Sequence, residues 1–279
     1  MARTLPQLDA EALALFARKG LEAGPGAPQV GEANAVKVRR VMQLTADLGG
    51  RPFDQLRVLD LGCGEGVYAI EAGLRGAQVL ALDARTERMR DGAACAERHG
   101  LANVAFRQED AREVRRSTHG EFEVVYCLGL LYHLDSPDVF SVLANVHQLC
   151  TRLLVIDTLI SLESETEVGH DGHHYEGRRV REHGDDDPDE VKRARVLRSV
   201  DNVFAFRFTR ASLVRALRVA GFSSVLECHA PAEPGKAEDR VTLAALRGDP
   251  ASIATYPWLN DMPEPEIERR LLGRGSGRR

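Results

Sequence analysis

Three glycines at alternate positions, Gly62, Gly64 and Gly66, follow an apolar run and an acid, Asp60, in VLDLGCGEG. Glycines so placed let a ligand approach the backbone closely. A dinucleotide loop follows G-x-G-x-x-G, and here Val67 stands where the third glycine belongs. A phosphate-binding P-loop needs a following Gly-Lys-Ser/Thr, which is missing. Glu65 within the loop is awkward beside a pyrophosphate and harmless beside a cationic ligand. Asp83 ends the next apolar run, LALD, at the distance where an acid grips ribose hydroxyls. Asp110 in QEDA follows the third such run, and an acid there accepts an exocyclic amino group. The three features together describe an adenosine carrying a tail other than phosphate.

His133 lies in GLLYHLDSP, just after a fourth apolar run. Imidazole ionises near neutrality and suits a general base. The alternative is a structural histidine capping the helix that follows. Tyr132 beside it is placed either toward the core or at the acceptor. Further along, GHDGHHYEGRRVREHGDDDPDE holds His170, His173, His174 and His183. Their glycine-broken spacing does not match a metal-ligand pattern, and no metal is expected. Two readings of this stretch stay open. It is a lid that presents His174, Tyr175, Arg178, Arg179 and Arg181 to an anionic acceptor. Or it is a solvated loop whose arginines pair with Glu176, Glu182 and Asp185 to Asp187.

Apolar runs alternating with helical patterns must position these groups. Residues 7–20 and 34–48 read as helices, with EAGPGAPQVGEAN as the loop between them. From residue 56 the order is strand, loop, helix, repeated to a fifth strand in TRLLVIDTLI. Continuous apolar strands of this kind predict a parallel sheet covered on both faces. After an insert at residues 161–203 comes the helix ASLVRALRVAGF, with Thr209 as its cap. SSVLECHAP and RVTLAALRG then form a hairpin that adds an antiparallel strand. VFAFRFTR is a strand packing one side on the core, or an aromatic stacking platform. Expected boundaries are a helical cap at 1–34, an α/β domain at 35–248 and an irregular tail at 249–279.

The chain has 279 residues, 43% hydrophobic and 28% charged, with a formal net charge of -5. That is ordinary for a globular protein, and no global basic field points to nucleic acid. Five scattered cysteines without a C-x-x-C pair read as reduced thiols. No stretch is apolar enough to span a bilayer, and the acids in the N-terminal apolar stretch make a poor signal peptide. A cytoplasmic protein without a membrane partner is expected, and a homodimer is compatible with the sequence.

The constellation of VLDLGCGEG, LALDAR, QEDA and CLGLLYHL, at successive strand ends, resembles the class I S-adenosylmethionine-dependent methyltransferases, over roughly residues 35–247. The resemblance implies a Rossmann-like, seven-stranded, mostly parallel, doubly wound sheet with a C-terminal antiparallel hairpin. It implies that Asp60, Gly62, Cys63 and Gly64 meet the methionine part of S-adenosylmethionine, and Asp83, Ala84 and Arg85 its ribose. Asp110 and Ala111 would meet the adenine, with Cys127 and Leu128 flanking the methionine tail. His133 would be the catalytic base, and Tyr132 would help bind the acceptor. The expected reaction is methyl transfer to a small molecule, at oxygen. The runners-up are a tRNA- or RNA-modifying methyltransferase and an inactive cofactor-binding partner subunit. A nicotinamide oxidoreductase is disfavoured by the glycine spacing.

Overall fold

RVLDL, QVLALD, VAFRQ and FEVVYCL each offer apolar residues to both faces, so each must be covered on both sides to bury them. In the computed structural model, which describes residues 7–17, 27–229 and 233–249, these runs become parallel strands. They are β1 (Arg57–Leu61), β2 (Gln78–Asp83), β3 (Val104–Gln108) and β4 (Phe122–Leu128), joined by β5 (Cys150–Leu159). With β9 (Ser224–Glu227) and β10 (Arg240–Leu246) they form one sheet in the order β3-β2-β1-β4-β5-β10-β9. Every pairing from β3 to β5 is parallel, while β10 runs antiparallel to both β5 and β9. The predicted doubly wound sheet with its terminal hairpin is therefore present.

The helices α1 (Ala10–Ala17), α2 (Ala27–Leu48), α3 (Val67–Leu74) and α4 (Thr86–Arg98) contribute to a core on one face, with Val58, Tyr126 and Val155. A hydrogen bond of 2.8 Å between Thr45 Oγ1 and the buried Tyr126 hydroxyl ties α2 to β4. After the one-turn α5 (Arg116–His119), the helices α6 (Asp138–Leu149) and α8 (Arg210–Ala220) cover the other face with Leu59, Leu61 and Phe122. Thr209 caps α8 as expected, its side chain accepting from the Ser212 amide. Among the described residues, no helix is long and apolar enough to cross a membrane.

The structure corrects two expectations. The segment expected as a loop is helical from Ala27 onward. Pro28 falls in the first turn, where its missing N–H costs nothing, and Gly31 is not enough to stop the helix. The insert is not a plain loop either. β6 (Thr166–His170) and β7 (His173–Arg181) form an antiparallel hairpin, extended by β8 (Phe204–Phe208) into a second, three-stranded sheet. The short α7 (Asp189–Ala194) follows β7. Asp171 and Gly172 turn the hairpin with φ of 48° and 76°. Phe206 and Phe208 are buried in the core, so β8 packs on the molecule and presents no stacking platform. The tail expected from Asp249 lies outside the described residues beyond Asp249 itself, as do residues 1–6 and 18–26.

Candidate active site

The glycine loop sits where β1 hands over to α3. Gly62, Gly64 and Gly66 have φ of 70°, 55° and 74°, left-handed values that side chains resist. At Gly66 a Cβ would also lie 2.4 Å from the Phe106 ring. Four of the loop amides are spent within the protein. Those of Gly62 and Cys63 donate to the Leu82 carbonyl at 2.8 and 2.9 Å, and that of Gly66 donates to Cys63. The Gly64 amide donates to Asp83 Oδ2 at 2.9 Å. No nest of free N–H groups is left among these four for a phosphate.

A cleft follows the carboxyl ends of the strands in two adjoining parts that share Gly62, Arg88, Gly129, His133 and Val196. The first part is lined by Asp83, Ala84, Arg85, Asp110 and Ala111. Asp83 is nearly buried, and its second oxygen accepts the Arg85 amide at 2.9 Å. Each carboxylate oxygen keeps another lone pair for a ligand. Asp110 is clasped by Arg112, whose Nη2 also reaches Asp201 at 2.7 Å. Burial pushes the Asp110 carboxyl up, but the Arg112 bonds outweigh it and hold it below the usual range.

The second part is lined by Cys63, Gly64, Tyr68, Leu128, Tyr132, Asp157 and Arg240. Tyr132 faces this cleft and not the core. Burial lowers the Arg240 pKa, but the adjacent Asp157 carboxylate outweighs it and raises it, and Thr242 donates to the second Asp157 oxygen at 2.8 Å. Asp60 and Cys127 do not line the cleft: both are buried beneath it, on the faces of β1 and β4. Burial pushes the Cys127 thiol up to about 12, with Asp60 adding to the effect. It also raises Cys63 well above its ordinary value. Neither thiol is a nucleophile near neutrality.

His133 borders both parts of the cleft. Its Nδ1 lies 3.2 Å from Oε2 of Glu182, a buried residue at the end of β7. Burial raises the Glu182 pKa, but the hydrogen bond and charge of His133 and the Ser199 N–H outweigh it and hold it low. Sequence reasoning paired Glu182 with arginines, and nothing local joins it to a histidine 49 positions away. Arg85 is the other surprise. It borders the cleft, yet its guanidinium donates to the carbonyls of Arg193, Arg195, Arg198 and Ser199. It thereby holds the segment at 193–199 over the strand ends.

The predicted acceptor residues of the insert are elsewhere. Tyr175 is buried between Phe140 and Phe208, because β7 alternates and this position points into the core. His174 is exposed and meets Glu167 at 2.8 Å. Arg178 pairs with Glu165, Arg179 with Asp135 and Arg181 with Asp185. Arg179 and Arg181 also stack over the Phe204 ring. None of the five lines the cleft. The insert's four histidines do not converge: His170 stacks on Phe140, and buried His183 meets the Ser199 carbonyl at 3.0 Å.

Residues 58–152 match the family model described as a methyltransferase domain. A ubiquinone biosynthesis O-methyltransferase from Acinetobacter baumannii (strain AYE) is 27% identical over 123 residues, 44% of this chain and 47% of that protein. One from Psychrobacter cryohalolentis is 33% identical over 113 residues, 40% of each chain. The aligned part thus spans about half the length of these relatives or less. Among solved structures, the N-terminal domain of EvdMO1, with SAH and D-fucose, superposes with a TM-score of 0.61 at 24% identity. It covers 76% of this chain and 83% of that one. Magnesium protoporphyrin IX methyltransferase (ChlM) from Synechocystis PCC 6803, with bound SAM, gives 0.55 at 17% identity, covering 88% and 100%.

Proposed function

We propose that this chain, which has the class I methyltransferase fold and a methyltransferase-domain segment at residues 58–152, transfers a methyl group from S-adenosylmethionine to an oxygen of a small-molecule acceptor. The observation that carries the reading is the glycine loop's internal hydrogen bonding beside Asp83, whose two oxygens each keep a lone pair for a ligand. A loop whose glycine amides are already used offers no cradle for a phosphate, and the free lone pairs of Asp83 suit ribose hydroxyls. Asp83 would hold the ribose hydroxyls, and Asp110 with Ala111 would flank the adenine. Gly62, Gly64 and Leu128 would border the methionine part. Bound there, S-adenosylmethionine supplies an electrophilic methyl on a sulfonium.

The chain's own residues then have two tasks. The cleft walls hold the acceptor oxygen in line, and such positioning is worth roughly 7–11 kcal/mol in favourable cases. His133 takes the acceptor's proton, a contribution of about 10²–10⁴ in rate. The relatives named for ubiquinone biosynthesis are O-methyltransferases, which supports oxygen as the methylated atom. The test is a transfer assay with S-adenosylmethionine labelled in the methyl group. The label should enter small hydroxyl-bearing molecules from a metabolite extract. Label found only in the RNA fraction, or none transferred at all, would overturn the reading.

A further inference from the structure

We propose that Glu182 is the positioning residue for His133, and that the segment at 193–199, anchored by Arg85, brings it into place. The inference rests on His133 being the base, and it narrows the acceptor to a hydroxyl that arrives protonated.

Glu182 is buried, and its Oε2 accepts from two groups: His133 Nδ1 at 3.2 Å and the Ser199 amide at 2.9 Å. The Ser199 carbonyl in turn accepts from Arg85 Nη2 at 2.8 Å. A chain of contacts thus runs from the end of β2, beside Asp83, to the imidazole. Asn202 Nδ2 adds a bond of 3.0 Å to the His133 carbonyl, which fixes the backbone behind the ring. The cations acting on the carboxylate besides His133 are Arg198 and Arg207, and neither displaces the ring.

A carboxylate is acceptor-only, so its partner nitrogen in the neutral ring must carry the proton. Glu182 therefore selects the Nδ1–H tautomer and leaves a lone pair on Nε2. A carboxylate partner on one ring nitrogen sets tautomer and orientation in the same way at other histidine sites. In the reaction, the acceptor O–H gives its proton to Nε2. The oxygen lone pair forms the new C–O bond as the C–S bond breaks, and that bonding pair returns to sulfur as a neutral thioether. An acceptor already ionised would have no use for this pair.

The test is nitrogen NMR of protein labelled in histidine, with and without S-adenosylhomocysteine, at a pH where the rings are neutral. His133→Gln identifies the signals by their loss. In the parent, His133 should show a protonated Nδ1 and an unprotonated Nε2. Glu182→Leu, which leaves Nδ1 without an acceptor, should shift the ring toward the Nε2–H form, and Arg85→Ala should do so too with Glu182 intact. A parent ring protonated on Nε2 overturns the proposal without any variant having to fold. So does a tautomer unchanged in folded Glu182→Leu. If S-adenosylhomocysteine fails to bind, the methyltransferase reading fails, while the tautomer still decides the role of Glu182.

Discussion

Asp83 acts twice. It faces the cleft, and its two oxygens also hold the amides of Gly64 and Arg85. Replacing it with Ala should weaken S-adenosylmethionine binding by about one to two decades, from loss of a charge-assisted bond worth roughly 1.5–3 kcal/mol. The melting temperature should fall as well, because the Gly64 and Arg85 amides lose their acceptor. Calorimetric titration beside a melting curve separates the two effects, and a variant that binds as tightly as the parent would remove Asp83 from the ribose site. For His133→Ala, turnover should drop about 10²–10⁴-fold with cofactor affinity nearly unchanged. Activity lost only in proportion to folding would make the residue structural. Asp83 was legible because its meaning lies in spacing from the glycine loop along one strand–helix–strand unit. Glu182 and the Asp157–Arg240 pair were not, because their partners lie 49 and 83 positions away.

The inserted hairpin, α7 and the stretch to residue 202 were the least legible part of the fold. Charge and histidine content suggested a lid or a solvated loop, and drew attention to side chains that turn out to face solvent or core. The Asp171-Gly172 pair was the overlooked signal, since Asp-Gly between two strand-like runs is a strong hairpin turn. Tyr175→Ala should therefore act on stability, by about 3–5 kcal/mol as for other large core aromatics. Thermal unfolding measures this, and a stable variant with a raised acceptor KM would return Tyr175 to the binding site. Glu182 adds a pH dependence. Its carboxyl titrates lower in the folded protein than a free glutamate, so it contributes stability above the free value. That contribution is lost as pH falls through the depressed folded value. Protection from hydrogen exchange at residues 193–202, corrected for the intrinsic rate, should fall in the parent as the pH drops below the range of a free glutamate. In Glu182→Gln this fall should be absent, and equal profiles would separate the carboxylate from closure of this segment.

At the scale of the whole molecule, the parallel order β3-β2-β1-β4-β5 brings Gly62, Asp83, Asp110 and Leu128 to one rim of the sheet. This was the most legible level, because a fully apolar strand run needs two covered faces and a right-handed helical crossover supplies them. The antiparallel β10 brings Arg240 beside Asp157 at the same rim, which no local pattern announced. On the proposed reading, this rim binds an adenosine with a sulfonium tail and not a pyrophosphate. Isothermal titration of the parent with S-adenosylmethionine, S-adenosylhomocysteine and NAD tests it most directly. The expected result is saturable one-to-one binding of the first two, each displacing the other, with no heat from NAD. Binding of NAD in their place would make the rim a pyrophosphate site instead.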